Sequence, residues 1–334
     1  MAHATTQHQR VAVICGASAG IGRAAAIELA RQGWAVALIA RSTTGLAAAL
    51  EEITVCGGNA LALPADVTDA SQVEAAAARA ETTLGPVDLW VNAAMVTVFG
   101  PAAALTPSEI HQVTDVTYLG TVHGTLAALR LMQPRNRGTI IQVGSALSYR
   151  SIPLQAPYCA AKFAVRGFTD ALRCELIHER SGIRLTMLQL PAHNTPQFDW
   201  GRNRMSQRAQ PVPPIHTPEV AARAIAKIAL DPPREYWLGK ATLQAIVGNM
   251  VLPGVLDRLL AARAWQGQLT SEPASPGPDN LFEPVEGVHR TAGRFGDRAQ
   301  DHALGLSATA VRAAIAGLML VLLLLAGAVG AVLG

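Results

Sequence analysis

The chain has 334 residues, half of them hydrophobic and 15% charged. That is enough to bury one large core or two smaller ones, and too apolar for a disordered protein. A formal net charge of +3 leaves no nucleic-acid footprint, and the four cysteines, Cys15, Cys56, Cys159 and Cys174, lack metal-ligand spacing and suit a reducing compartment.

The first nine residues are polar and predict a flexible start, with no apolar stretch of the kind a secretory signal needs. From Val11 onward, apolar runs alternate with Ala-rich helical patterns. VAVIC (11–15) predicts a buried strand, and GRAAAIELARQG (22–33) a helix stopped at Gly33. WAVALIA (34–40) and TGLAAALEEITVCGG (44–58) repeat the pair, and ALALPADV (60–67) with a helix over 69–84 repeats it again. VDLWVNAA (87–94) is a fourth strand, followed by a long helix over 107–133. GTIIQVGS (138–145) is a fifth, followed by the helix that carries Tyr158, and IRLTMLQLP (183–191) is a sixth.

Strands apolar on both faces, alternating with helices, predict an α/β fold: a Rossmann-type doubly wound parallel sheet over residues 10–240. Residues 194–218 are rich in Arg and Pro and read as a lid loop, followed by a helix over 218–230 and a last strand, REYWLG (234–239). Residues 241–269 read as an amphipathic extension broken at Pro253-Gly254, and 270–307, rich in Pro, Gly and charge, as a linker. AAIAGLMLVLLLLAGAVGAVLG (313–334) carries no charge. At 1.5 Å per residue it would extend roughly 33 Å, so residues 308–334 predict a single C-terminal transmembrane helix. With Arg312 at its start, the catalytic domain is expected on the cytoplasmic side.

The loop between the first strand and first helix holds Gly16, Ser18, Gly20, Ile21 and Gly22. Glycine lets backbone approach a pyrophosphate closely, and the helix N-terminus stabilises its charge. The second strand ends Ala40-Arg41-Ser42 with no carboxylate for ribose hydroxyls. Arg41 can pair with a 2′-phosphate, so NADP(H) is expected in preference to NAD(H), with Asp66 and Val67 beside the adenine. Tyr158 and Lys162 share a helix face, four residues apart, in a chain with only four Tyr and three Lys, which argues against coincidence.

CGASAGIG (15–22), DLWVNAAMV (88–96), VGSALSYRSIPLQAPYCAAK (143–162) and LPAHNTP (190–196) resemble, in order and spacing, the motifs of the short-chain dehydrogenase/reductase family. The resemblance implies that Ser145 binds the substrate oxygen, Tyr158 is the acid/base, and Lys162 holds the nicotinamide ribose and acidifies Tyr158. It places Asn92 and Ala93 beside the cofactor, Thr195 at the carboxamide, and Pro191 and Ala192 in that turn. The family's fourth catalytic position, an Asn, falls here at Thr117, and two positions of its strand-four motif are Ala93 and Met95.

The reading this supports is a membrane-attached oxidoreductase interconverting hydroxyl and carbonyl groups on a lipophilic small molecule, with self-association expected from the resemblance. The alternative is a catalytically impaired nucleotide-binding or scaffolding protein at the membrane. His111, His123 and His178 read as surface or core residues, Cys159 as structural, and Arg202, Arg204 and Arg208 as a solvated loop face.

Overall fold

In the computed structural model, the structure describes residues 9–274, 277–287 and 289–333. The expected flexible start falls almost wholly outside them. Seven parallel strands form one sheet: β1 (Val11–Cys15), β2 (Ala35–Ala40), β3 (Asn59–Pro64), β4 (Val87–Asn92), β5 (Gly138–Val143), β6 (Ile183–Gln189) and β7 (Glu235–Leu238). An eighth, β8 (Gly305–Ser307), joins the edge antiparallel to β7. The order β8-β7-β6-β5-β4-β1-β2-β3 reverses at β1, so a crevice opens beyond the carboxyl ends of β1 and β4.

Alternation along each strand feeds two cores. Ile14 and Leu38 pack with Ile27, Leu29, Ile225 and Ile228 from α1 (Gly20–Arg31) and the helix Pro218–Leu230. Val13, Trp90 and Ile140 pack on the other face with Val73, Val113 and Leu172. Local chemistry sets the helix starts. The Ser42 side chain accepts from the amide of Gly45 at the head of α2 (Thr43–Val55), and Asp69 caps α3 (Ala70–Leu84) through the amides of Ser71 and Gln72. Thr106 and Glu109 form a capping box on α4 (Pro107–Thr114).

Some of these expectations need correction. The single helix expected over 107–133 is α4 and α5 (Gly120–Met132) joined by a π-helical turn, Asp115–Leu119. Thr117 in that turn donates to the Val96 carbonyl (3.1 Å) and accepts from its amide (3.2 Å), which anchors the widened turn. The helix α6 (Ala156–His178) follows β5 as expected. Arg202 and Arg204 are part-exposed but do more than face solvent. Both ion-pair with Glu109, which is 1% exposed, and Arg202 also holds Asp279. Arg208 is paired too, with Glu272 and Asp199.

The region expected to be a linker is, in its described part, a strap across the body of the fold. Leu281 is fully buried in the second core, and Phe295 packs on Phe198 with ring centroids 6.1 Å apart. Ala299-Gln300 pairs with Ile215-His216. Without an apolar period, such a segment is docked by long-range contacts that composition does not reveal.

The amphipathic extension forms α7 (Lys240–Val251) and α8 (Pro253–Gly267), broken where expected. A final helix, α9, spans Ala308–Leu333. Among the described residues, no helix is long and apolar enough to cross a membrane. Most side chains of the expected transmembrane segment beyond Val321 lie outside the described ones. The root of α9 is fixed: Arg312 donates to Glu235 (3.0 Å) and Ala308 is buried beside Trp237 and Ile246. Glu235, 2% exposed, also accepts from the Tyr149 hydroxyl (2.7 and 2.8 Å) and the Gln189 amide (3.2 Å).

Candidate active site

The glycine loop lies at the carboxyl end of β1 and could not carry side chains at its two tightest points. Gly16 has φ +85°, and a Cβ there would sit 2.7 Å from the Ala94 backbone. A Cβ on Gly22 would sit 2.2 Å from the Gly16 carbonyl oxygen. This tight packing holds the loop's backbone at the N-terminus of α1, where an anionic group is stabilised. Gly16, Ser18, Gly20, Ile21 and Gly22 all line a cavity of about 520 Å³.

Ser145 and Tyr158 line the same cavity at its far end. Ser145 follows β5 and caps a short turn, its Oγ accepting from the amide of Leu147 (3.1 Å), and it is hydrogen-bonded to Tyr158. Tyr158 and Lys162 sit in the first turns of α6. Lys162, 3% exposed, donates through Nζ to the Val143 carbonyl at the end of β5 (2.7 Å), and lies 5.7 Å from the Tyr158 ring centre.

Burial pushes the Lys162 ammonium down to about 8. Burial also pushes the Tyr158 phenol above its ordinary value, with the Ser145 hydrogen bond acting the other way. An acidified Tyr158 was implied by the resemblance. Desolvation outweighs the Ser145 hydrogen bond, so the phenol stands above its ordinary value rather than acidified.

Arg41, Val67, Ala93, Pro191 and Thr195 line the cavity where they were expected. Asp66 and Asn92 do not, and neither does Thr117 or Lys162. Asp66 accepts from the Thr68 amide (2.9 Å) and stands 3.9 Å behind Arg41. The Asn92 side chain is spent inside the fold, accepting from the Trp90 indole (2.9 Å) and donating to Gln142 (2.9 Å). Thr117 is occupied by Val96, and so steadies the helix beneath the site without facing it.

Sequence reasoning missed other walls. His193, buried beside Pro191 and pushed down to about 4 by desolvation and the neighbouring His216, is neutral and lines the cavity. Asn280, Pro284, Val285 and His289 line it from the strap. Toward Tyr158 the walls are Leu147, Ile152, Phe198, Val212, Leu260 and Ala264, from the lid and from α8 as well as the turn after β5.

Residues 10–204 match the family model described as short chain dehydrogenase. The chain is 31% identical over 283 residues to the oxidoreductase YxnA of Bacillus subtilis, covering 84% of this chain and 80% of that one. It is 33% identical over 191 residues to 3-ketodihydrosphingosine reductase of Bos taurus, 56% of this chain and 57% of that protein. Among solved structures, a variant of actinorhodin polyketide ketoreductase with NADPH superposes with a TM-score of 0.61 at 28% identity, covering 68% of this chain and 92% of that one.

Proposed function

Since this chain belongs to the short chain dehydrogenase family of oxidoreductases, we propose that it interconverts a carbonyl and a hydroxyl group on a hydrophobic substrate with NADP(H). One observation carries the reading: the glycine cradle and the Ser145–Tyr158 pair face one continuous cavity. Arg41 without a neighbouring carboxylate on its own turn favours the phosphorylated cofactor, and apolar walls from the lid and α8 favour a lipophilic substrate. A relative named for reduction of 3-ketodihydrosphingosine, and a similar ketoreductase solved with NADPH, are consistent with both choices.

The cradle fits a dinucleotide: Gly16, Gly20 and Gly22 line the cavity at the head of α1, in a turn packed too tightly for side chains at Gly16 and Gly22. When bound, the reduced nicotinamide supplies hydride to the substrate carbonyl carbon. Ser145 orients the carbonyl oxygen by hydrogen bonding. Tyr158, protonated through its burial, gives its phenolic proton to that oxygen as negative charge develops there. Lys162, tied to Val143, places positive charge beneath the phenolate that results.

The pH profile tests this division of labour. Lys162 is charged below about 8 and neutral above it. Carbonyl reduction is therefore expected to hold steady from pH 6 to 7 and to fall through a midpoint near 8, as measured by kcat/KM for NADPH oxidation. A profile still flat at pH 10 would show that the Lys162 charge is not required. The substrate class is tested with a ketone panel, in which long-chain ketones should outperform small polar ones. The reverse order would sink the hydrophobic assignment.

The second reading, a nucleotide-binding scaffold without turnover, draws on Thr117 and Asn92, whose side chains are turned away from the cavity. Absence of NADPH oxidation with every ketone would favour it. Membrane attachment through α9, with the catalytic domain in the cytoplasm, also belongs to the proposal. Its support is the uncharged run after Arg312, in which Leu318, Met319 and Leu320 are exposed. Full-length protein should float with phospholipid vesicles, whereas a chain ending at Gly317, which keeps Arg312, should stay at the bottom of the gradient. Equal flotation of the two would rule the anchor out.

A further inference from the structure

The strap, residues 277–287 and 289–298, crosses the nucleotide end of the cavity and is tied to it at points far apart. Arg41 donates to the carbonyls of Phe282 (2.7 Å) and Asn280 (2.8 Å). Arg23 of α1 donates to the His289 carbonyl (2.8 Å), and the amide of Gly20 in the glycine loop donates to the Arg290 carbonyl (3.2 Å). At the opposite rim, Gly293 donates its amide to the Asn194 carbonyl (3.0 Å), and the Asn194 side chain accepts from the amide of Phe295 (2.9 Å). Arg290 and Arg294 both pair with Asp199 (3.2 and 2.6 Å).

The fit extends into the ligand-binding turn itself. His289 is buried, with Nε2 3.0 Å from Ser42 Oγ and its ring edge-on to Trp200 at 5.0 Å. A Cβ on Gly45 would lie 2.5 Å from His289 Nδ1 and 2.8 Å from Ser18 Cβ. The start of α2 is therefore shaped to receive the strap. Although the strap takes the Gly20 amide, it does not fill the groove. Asn280, Val285 and His289 line the same open cavity as Ser18, Ile21 and Gly22 opposite them. The Asn280 side-chain oxygen is buried there without a partner.

We propose that the strap is a roof over the nucleotide, completing its binding site and gating its exchange, with Asn280 the polar contact to adenosine. This rests on the NADP(H) reading above. The Asn280 oxygen accepts from an adenosine N–H or O–H donor. Arg41, whose guanidinium has more N–H donors than the two used by strap carbonyls, links the roof to the 2′-phosphate. Nucleotide enters and leaves when the ties to Asp199 and Asn194 open.

The test uses the full chain and NADPH, followed by nucleotide fluorescence in equilibrium titrations and stopped-flow displacement. Asp199→Asn removes the acidic anchor of the strap without touching the groove. Gly293→Val drives a side chain into the Thr195 carbonyl, from which even a Cβ would be only 2.6 Å away. Both are expected to release NADPH at least about tenfold faster than the parent, and Asn280→Ala to weaken NADPH by about fivefold, the worth of one ordinary hydrogen bond. Amide exchange across 277–298 in the unaltered chain, expected to slow when NADPH is added, covers the case of variants that fail to fold. Unchanged release with unchanged exchange would overturn the roof while leaving the cofactor reading intact. Tighter NADPH binding in the loosened variants would make the strap a plug and overturn it too. A parent chain that binds neither NADPH nor NADH would bring down the functional reading itself, and the roof with it.

Discussion

Tyr158→Phe is expected to lower the rate of carbonyl reduction by about a thousandfold, within the range for removing a positioned general acid, while leaving NADPH affinity within about twofold of the parent. The phenol is the group at the substrate end of the cavity that is both placed to donate and held protonated by its surroundings. Phenylalanine keeps the ring and its packing in α6 but removes the proton and the hydrogen bond with Ser145. Measuring kcat with NADPH and a long-chain ketone, beside a fluorescence titration of nucleotide, separates the chemical step from binding. Equal rates for the two proteins would leave Tyr158 outside the chemistry. A loss confined to nucleotide affinity would assign it to the cofactor alone.

The second large effect lies away from the chemistry. Glu235→Ala is expected to destabilise the fold by about 1–3 kcal/mol, the range for leaving buried hydrogen-bonding groups without their partner, since the paired Arg312 is itself part-exposed. The carboxylate is 2% exposed and collects the Tyr149 hydroxyl, the Gln189 amide and the Arg312 guanidinium. Without it, Arg312 keeps only the Tyr149 hydroxyl as acceptor (3.1 Å), and that hydroxyl and the Gln189 amide lose their buried carboxylate. Urea denaturation followed by circular dichroism gives the difference directly. Glu235→Gln, which keeps shape and some acceptors, should lose less than Glu235→Ala. A loss below about 1 kcal/mol for the Ala variant would mean that β7 and α9 hold together without the cluster.

What was legible in the sequence was what depends on short spacing. The Tyr158–Lys162 pair lies within about one helical turn, and Gly16, Gly20 and Gly22 lie in one loop, so local geometry alone brings each set together. The parallel sheet was legible for the same reason, because each strand carries its own apolar run. Arg41 was placed correctly at the groove, but its ties to Asn280 and Phe282 were not foreseeable, since main-chain carbonyls leave no mark in a sequence. Asn92 and Thr117 show the opposite error. Their motif positions were right, yet their side chains answer to neighbours, Gln142 and Val96, that only the packed structure supplies. The strap was misread because its Pro, Gly and charged residues look like solvated chain, and its few anchors, such as Leu281, have no period to announce them.

The ties between strap and groove join residues 239 to 266 positions apart. A ribosome working from the N-terminus completes the glycine loop, Arg41 and the helix of Tyr158 before it adds the last of β6. About 90 residues remain between that point and Asn280, which at typical elongation rates is roughly 5–20 s. During that interval none of these ties can form. The last stretch of translation then lays the strap across the groove.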